Sequence, residues 1–261
     1  MTRSSHPSHS LRVALVQMNA TLLDRQLSFT KHAELIHEAG KKGCELILFP
    51  ELSLCGYVVD PAIVDAAAIP EGDLATLLEP LHAACRNAGL TAIVGAIVAE
   101  GERKFISALA LDRLGKVRIY RKRHLHDLES AVFQAGESTG HVTVGEWKIG
   151  IGICFDGGFP SHAAELATEG SHVYALSALF GSTGGREESR AWLPDRARHN
   201  GIFAVLSNHV GPAGAWTGCG SAGAWSPDGQ LLAEADNWTE GILVVELDPS
   251  LLVDRNDVAL A

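Results

Sequence analysis

The order in which two apolar patterns alternate constrains this chain most. "LRVALVQM" is a continuous apolar run of strand length, and "DRQLSFTKHAELIHEAGKKG" after it spaces its apolar residues three and four apart and closes on Gly43. "CELILFP" reads as a second strand, and "DLATLLEPLHAACRNAG" as a second helix leading into the strand "LTAIVGAIVAE". Strand following helix twice over predicts a layered α/β domain. The middle changes character: "KFISALALD" and "VRIYRK" flank the turn "RLGK", and "HVTV" and "WKIGIGIC" flank Gly145-Glu146, so hairpins are mixed into the pattern. Further on, "FPSHAAELATEG" and "REESRAWLPDRARHNG" read as helices, the latter despite Pro194, and "SHVYALSALF", "IFAVLSNHV", "AWSPDGQLLAEA" and "GILVVELD" as strands with their turns. No linker, low-complexity tract or internal repeat divides the 261 residues, so a single domain is expected over 11–250, with polar tails at 1–10 and 251–261.

Charge and cysteine usage narrow the function classes. Lys+Arg of 21 against Asp+Glu of 31 gives a net charge of -10, and no basic cluster is longer than "RKRH", which makes nucleic acid and acidic membranes poor partners. No segment approaches the ~18 consecutive apolar residues of a membrane span, and Arg12 interrupts the apolar stretch that a signal peptide would need. The five cysteines are widely spaced, with no C-x-x-C, which argues against a disulfide framework or a zinc ribbon. The chain thus reads as a soluble cytoplasmic protein with reduced thiols.

Two motifs are set aside on their context. "GCGSAG", Gly218 to Gly223, satisfies G-x-G-x-x-G, but a dinucleotide site needs a strand before it and a helix opening from it, whereas "AWSPDGQ" follows and signals a turn. "HLHDLE" offers imidazoles and carboxylates without a third-ligand motif, and the other histidines are scattered. No metal or organic cofactor is expected.

Three reactive residues each stand where a strand ends: Glu51 in "ILFPELSLCGY", Lys122 closing "VRIYRK" and Cys154 closing "IGIGIC". Singly they have plain explanations, since a free cysteine is usually core and a charged residue after a strand is usually solvated. The carboxyl ends of α/β strands, however, are where ligand-facing side chains gather. Together the three form a chemically complete set. A thiol needs a nearby base, which Glu51 supplies, and an acyl-transfer oxyanion needs preorganised donors, which Lys122 and the backbone N–H of Phe155 supply. Sequence spacing alone does not bring them together.

These residues resemble the three signature motifs of the carbon-nitrogen hydrolase (nitrilase) superfamily. "FPELSLCGY" is similar to the first, with Glu51 as general base; "YRKRHL" to the second, with Lys122; and "GIGICFDGGFP" to the third, with Cys154 as nucleophile. "ESAVFQAG" puts Glu129 where many members carry a second glutamate, and "DRARHNGIFAVLSNHVG" resembles the family's Arg-Ala-x-x-Asn helix and the strand after it. The likeness runs from about Leu11 to Asp248. It implies an α-β-β-α sandwich that forms four layers, usually dimerised or further assembled, and hydrolysis of a non-peptide C–N bond in a small amide through a thioester. It implies that Glu129 orients Lys122 and that Tyr57, Leu179 and Phe180 contact substrate. N-carbamoyl hydrolysis is the alternative. A nitrilase reading fits less well, because nitrilases tend to carry Trp-Glu where this chain has Phe155-Asp156, and a non-catalytic binding protein would not need the intact triad. Gly158 and Ser161 depart from the Arg and Glu of many members, and Ser221 or Ala222 stands near the place of a usual serine, which leaves the substrate open.

Overall fold

A computed structural model describes residues 6–20 and 23–253. In chain order the elements are β1 (Leu11–Met18), α1 (Arg25–Lys41), β2 (Leu46–Leu48), α2 (Pro61–Ala67), β3 (Ile69–Pro70), α3 (Leu74–Leu77), α4 (Glu79–Ala88), β4 (Thr91–Glu100), β5 (Arg103–Leu111), β6 (Val117–Arg121) and β7 (Gly140–Val144). They continue with β8 (Trp147–Ile153), α5 (Pro160–Thr168), β9 (Val173–Ala178), α6 (Gly185–Asn200), β10 (Phe203–Ala213), β11 (Trp216–Cys219), β12 (Gly223–Trp225), β13 (Leu231–Glu234) and β14 (Gly241–Leu247).

The main strand order is β6-β5-β4-β2-β1-β10-β9-β8-β7. β1 pairs with β14 along most of its length and with β10 only at Gln17↔Asn208 and Met18↔His209, so the ladder divides at β1 and two sheets face each other. Strand alternation supplies apolar residues to both faces. Leu11, Val13 and Leu15 point between the sheets and pack in one cluster with Ile149, Ile151, Val173 and Phe203 of the opposite sheet. Ala14, Val16 and Met18 point outward onto Ile36 and Ala39 of α1 and Leu81 and Cys85 of α4. On the far side, Tyr174, Leu176 and Leu206 pack on Ala163 and Leu166 of α5 and Leu193 and Ala197 of α6. Three apolar layers between four structural layers make the α-β-β-α sandwich, with each fully buried aliphatic side chain contributing about 1.5–3 kcal/mol.

The helices follow their local signals. Asp24 caps α1 by accepting from the Leu27 N–H, and the buried residues Ser28, His32, Ile36 and Ala39 trace one face. The segment read as one second helix is α3 and α4, which break at Leu78 just before Pro80. "GCGSAG" runs from the end of β11 to the start of β12, with Gly220 and Ser221 at φ 62° and 58°, and no helix opens from it. Of the expected tails, 1–5 and 254–261 lie outside the described residues. The segment before β1 is tied to the β7–β8 hairpin, where Ser8 N–H and Oγ donate to Glu146 and the Trp147 indole donates to the His9 carbonyl. Leu252 is buried in the core between the sheets. No helix among the described residues is long and apolar enough to cross a membrane.

Candidate active site

β2, β4, β1, β10, β9 and β8 run parallel, and two successive antiparallel steps make β6 parallel to β4. Their carboxyl ends therefore share one rim. Glu51 follows β2 and Lys122 follows β6 on one sheet, while Cys154 follows β8 and Leu179 follows β9 on the other.

Backbone geometry fixes each residue. The turn carrying Glu51 crosses β4 so closely at Gly95 that a Cβ there would lie 2.2 Å from the Leu52 nitrogen, and only glycine fits. Ser53 Oγ accepts from the Gly95 N–H and lies 3.0 Å from His32 Nε2, and His209 Nε2 donates to the Glu51 carbonyl at 2.6 Å. Lys122 N–H donates to Ile106 O, and Gly136 N–H donates to Lys122 O, both at 2.8 Å. Cys154 has φ +45°, a left-handed conformation that opens the turn after β8 and turns the thiol out of the strand. Such a conformation costs a non-glycine residue of order 1–3 kcal/mol and persists where the surroundings over-determine it.

Lys122 Nζ lies 2.7 Å from Glu51 Oε1 and 2.7 Å from Glu129 Oε1, with all three side chains buried. Glu129 also accepts from Tyr57 OH at 2.8 Å and from the His126 N–H at 2.9 Å, so the loop after β6 folds back on the lysine. An ammonium has three N–H donors, and two are taken. Burial alone would lower the Lys122 pKa, but the Glu51 and Glu129 carboxylates raise it, so the side chain stays charged. Burial raises the Glu51 carboxyl to about 7, against the opposing pull of Lys122. Its Oε2 is buried and has no hydrogen-bond partner among the described residues. Burial and the Glu51 charge push the Cys154 thiol well above its ordinary value, so the resting sulfur is a thiol. The Cys154 S–H points at the Leu179 carbonyl, 3.7 Å away.

These groups sit at the floor and wall of a cavity of about 260 Å³. Cys154, Phe155, Glu129, Tyr57, Leu179 and Phe180 line it, while Glu51 and Lys122 lie beneath its lining. Tyr57 presents its ring to the cavity but commits its hydroxyl to Glu129. Phe180 is fixed by Asn208, whose Oδ1 accepts from the Phe180 N–H at 2.8 Å. The two histidines of "HLHDLE" take different partners: His124 Nδ1 lies 2.9 Å from Asp156 Oδ1, and His126 lines the cavity.

Besides His209, sequence reading missed two residues that hold these parts together. Asp156 Oδ2 accepts from Tyr120 OH at 2.6 Å and Ile153 N–H at 3.0 Å, and its Oδ1 accepts from the N–H groups of Arg123 and His124 at 3.3 and 2.9 Å. One carboxylate thus ties the residues just past Lys122 to the residue just before Cys154. Burial would raise its pKa, but the hydrogen bonds from His124 and Tyr120 and the nearby His162 hold it below the usual carboxylate value. Arg196 of α6 donates to the Gly157 and Gly158 carbonyls at 3.1 and 3.2 Å and anchors the turn after Cys154. An acidic residue two beyond the cysteine was the available signal; its partners lie some thirty residues away in the chain. Asp156→Asn is expected to lower stability by roughly 2–4 kcal/mol, since hydrogen bonds to a charged group contribute about 1.5–3 kcal/mol each and an amide places a donor against donors. It should reduce kcat at least tenfold with little change in KM. Denaturant titration and steady-state kinetics measure both, and an unchanged kcat in a folded variant would mean that the clamp does not set the register of Lys122 and Cys154.

With this geometry in place, the sequence model of the carbon-nitrogen hydrolase family matches residues 12–255. The chain belongs to the carbon-nitrogen hydrolase family. It is a hydrolase acting on non-peptide C–N bonds. A nitrilase of Pyrococcus abyssi is 32% identical over 257 residues, covering 95% of both chains. The chloroplastic omega-amidase of Arabidopsis thaliana is 28% identical, with 95% of this chain and 70% of that protein covered. Among solved structures of this family, the amidase of Nesterenkonia sp. AN1 superposes with a TM-score of 0.83 at 28% identity over 98% of each chain. That structure is a complex with butyramide, and in a second, also at TM-score 0.83, the acetamide moiety of fluoroacetamide is covalently added at the active-site cysteine.

Proposed function

We propose that this protein is a cysteine amidohydrolase that cleaves a small amide through a thioester on Cys154. The observation that carries the reading is the buried Lys122 held between Glu51 and Glu129, with Glu51 close enough to Cys154 for the thiol to feel its charge and with Glu51 Oε2 left without a partner among the described residues. A carboxylate near 7 is matched to general-base work at neutral pH. Glu51 takes the thiol proton as Sγ bonds to the substrate carbonyl carbon. The oxygen of that carbonyl becomes an oxyanion, held by the third N–H of Lys122 and the N–H of Phe155. The C–N bond breaks as Glu51 returns the proton to the departing nitrogen. Water, giving a proton to Glu51, then attacks the thioester, and Sγ leaves and is reprotonated, releasing the acid. The covalent adduct in the Nesterenkonia amidase supports a nucleophilic role for Cys154, and the butyramide complex of that enzyme supports a short amide as substrate.

The test is ammonia release over aliphatic amides, N-carbamoyl compounds and nitriles, with mass spectrometry of an acyl adduct on Cys154. Ammonia from short amides is the expected result, and turnover confined to nitriles would overturn it in favour of the activity named for the Pyrococcus relative. The pH profile adds a sign. Glu51 works only when ionised, so kcat/KM should rise with pH through about 7 and then level, falling about tenfold per pH unit on the acid side. A profile flat between pH 5 and 8 would exclude Glu51 as the base.

A further inference from the structure

Among the described residues, the cavity above Cys154 is lined by two carboxylates, Glu129 and Glu188, and by no lysine or arginine. Glu129 is fully engaged by Lys122, Tyr57 and the His126 N–H. Glu188, in the first turn of α6, is exposed, and its side chain has no hydrogen bond or ion pair among the described residues. An acid in that turn complements the helix dipole, but Glu187, which does not line the cavity, supplies the same charge. The basic residues nearest in sequence are drawn elsewhere: Arg186 and Arg190 both bind Glu234 on β13. Beneath the floor, Glu51 and Glu129 against Lys122 leave a net negative charge when both carboxylates are ionised, and the whole chain carries -10.

Aromatic rings supply most of the bulk of the remaining wall, with His126, Leu179 and Thr183 set among them. Trp192 lies against the Phe180 ring at 5.7 Å between centroids and over Gly158, where a Cβ would meet its indole at 3.2 Å. Trp216 stands half-exposed at the mouth beside His126, with ring centroids 6.5 Å apart. Indole faces attract a cation and offer nothing to a carboxylate.

We propose that this cavity selects amides whose acyl part is uncharged or ends in an ammonium group, with Glu188 and the indoles of Trp192 and Trp216 receiving the cation, and rejects amides ending in a carboxylate. The proposal deepens the amidohydrolase reading and rests on it for the orientation of the amide toward Cys154. Three amides of similar length separate the classes: butyramide, 3-aminopropanamide as its cationic counterpart, and succinamate as an anionic one. Binding to the Cys154→Ala protein, followed by the tryptophan indole N–H resonances, reads selectivity without turnover. 3-Aminopropanamide should bind about fivefold tighter than butyramide, the size of one exposed ion-pair or cation–π contact, and succinamate at least tenfold weaker. Adding Glu188→Gln should erase the advantage of the cation, and Glu188→Arg should pass it to succinamate. The proposal is overturned if succinamate binds as tightly as butyramide, if none of the three binds, or if the cation keeps its advantage in Glu188→Gln. Ammonia release by the unmutated protein is scored separately. The predicted binding order without any ammonia would overturn the amidohydrolase reading alone, and ammonia release without that order would overturn the selectivity alone.

Discussion

Cys154→Ala is expected to remove turnover altogether while leaving a folded protein whose stability is within about 1 kcal/mol of the parent. The side chain lines a cavity, so its loss removes one sulfur from a wall that is already open on one side. Alanine does not relieve the positive φ of 45°, because any Cβ meets the same backbone. Glycine does. Cys154→Gly releases conformational strain of order 1–3 kcal/mol against an added unfolded-state entropy of about 0.5–1 kcal/mol, so it should melt at or above the temperature of the alanine variant. Both variants should be inactive, and neither should take up a thiol-directed alkylating amide that labels the parent faster at Cys154 than at the four other cysteines, all of them buried. Turnover by either purified variant at more than about one-thousandth of the parental rate would remove Cys154 from the role of nucleophile. A glycine variant no more stable than the alanine variant would show that the turn after β8 stores no strain.

How much of this was legible in the sequence depends on the range of the physics involved. Glu51, Lys122 and Cys154 could be singled out because each follows an apolar strand, and strand ends are a local signal. That they meet depends on the division of the ladder at β1, where two residue pairs join sheets contributed by distant segments. No periodicity reports such a join. The helix signals of α1, α5 and α6 were readable from spacing and closing glycines, and α6 absorbs Pro194 without ending. α2 and β3 went unread because seven and two residues are too few to show a period, and β11 because a four-residue strand was hidden in a glycine-rich stretch. Tyr57 was readable as a cavity residue but not as the hydroxyl that holds Glu129, since that contact spans 72 positions. Asp156, Arg196 and His209 were missed for the same reason. Each acts on backbone groups of a segment far away in the chain, and a backbone carbonyl or N–H leaves no mark on composition.

Replacing Lys122 by methionine is the second change with a large expected effect, and it separates the electrostatic role of the lysine from a packing role. Methionine keeps the length of the stem and removes the ammonium. Glu51 and Glu129, each 2.7 Å from Nζ in the parent, then face one another across an apolar gap without the charge that holds them. Breaking one side of a buried ionic group typically costs about 3–5 kcal/mol, because the carboxylates left behind are uncompensated. Glu51, already raised to about 7 by burial, loses the opposing pull of Lys122, so its folded pKa rises further above the unfolded one. The folded state then binds more protons than the unfolded state over that interval, and stability must increase as pH falls from 8 towards 6, measured against the parent under the same conditions. Catalysis moves the other way. A protonated Glu51 cannot accept the thiol proton, and the third N–H that would hold the oxyanion is gone, so kcat should drop by at least the ~10²–10³ of one lost oxyanion donor. Glu129→Gln should do less damage alone, and its effect should shrink strongly once Lys122 is already methionine, because the carboxylate acts through the ammonium it holds. Independent, multiplying effects would give Glu129 a direct role at the substrate. A Lys122→Met protein altered only in KM would leave the lysine as a binding group, and the oxyanion would then rest on the Phe155 N–H alone.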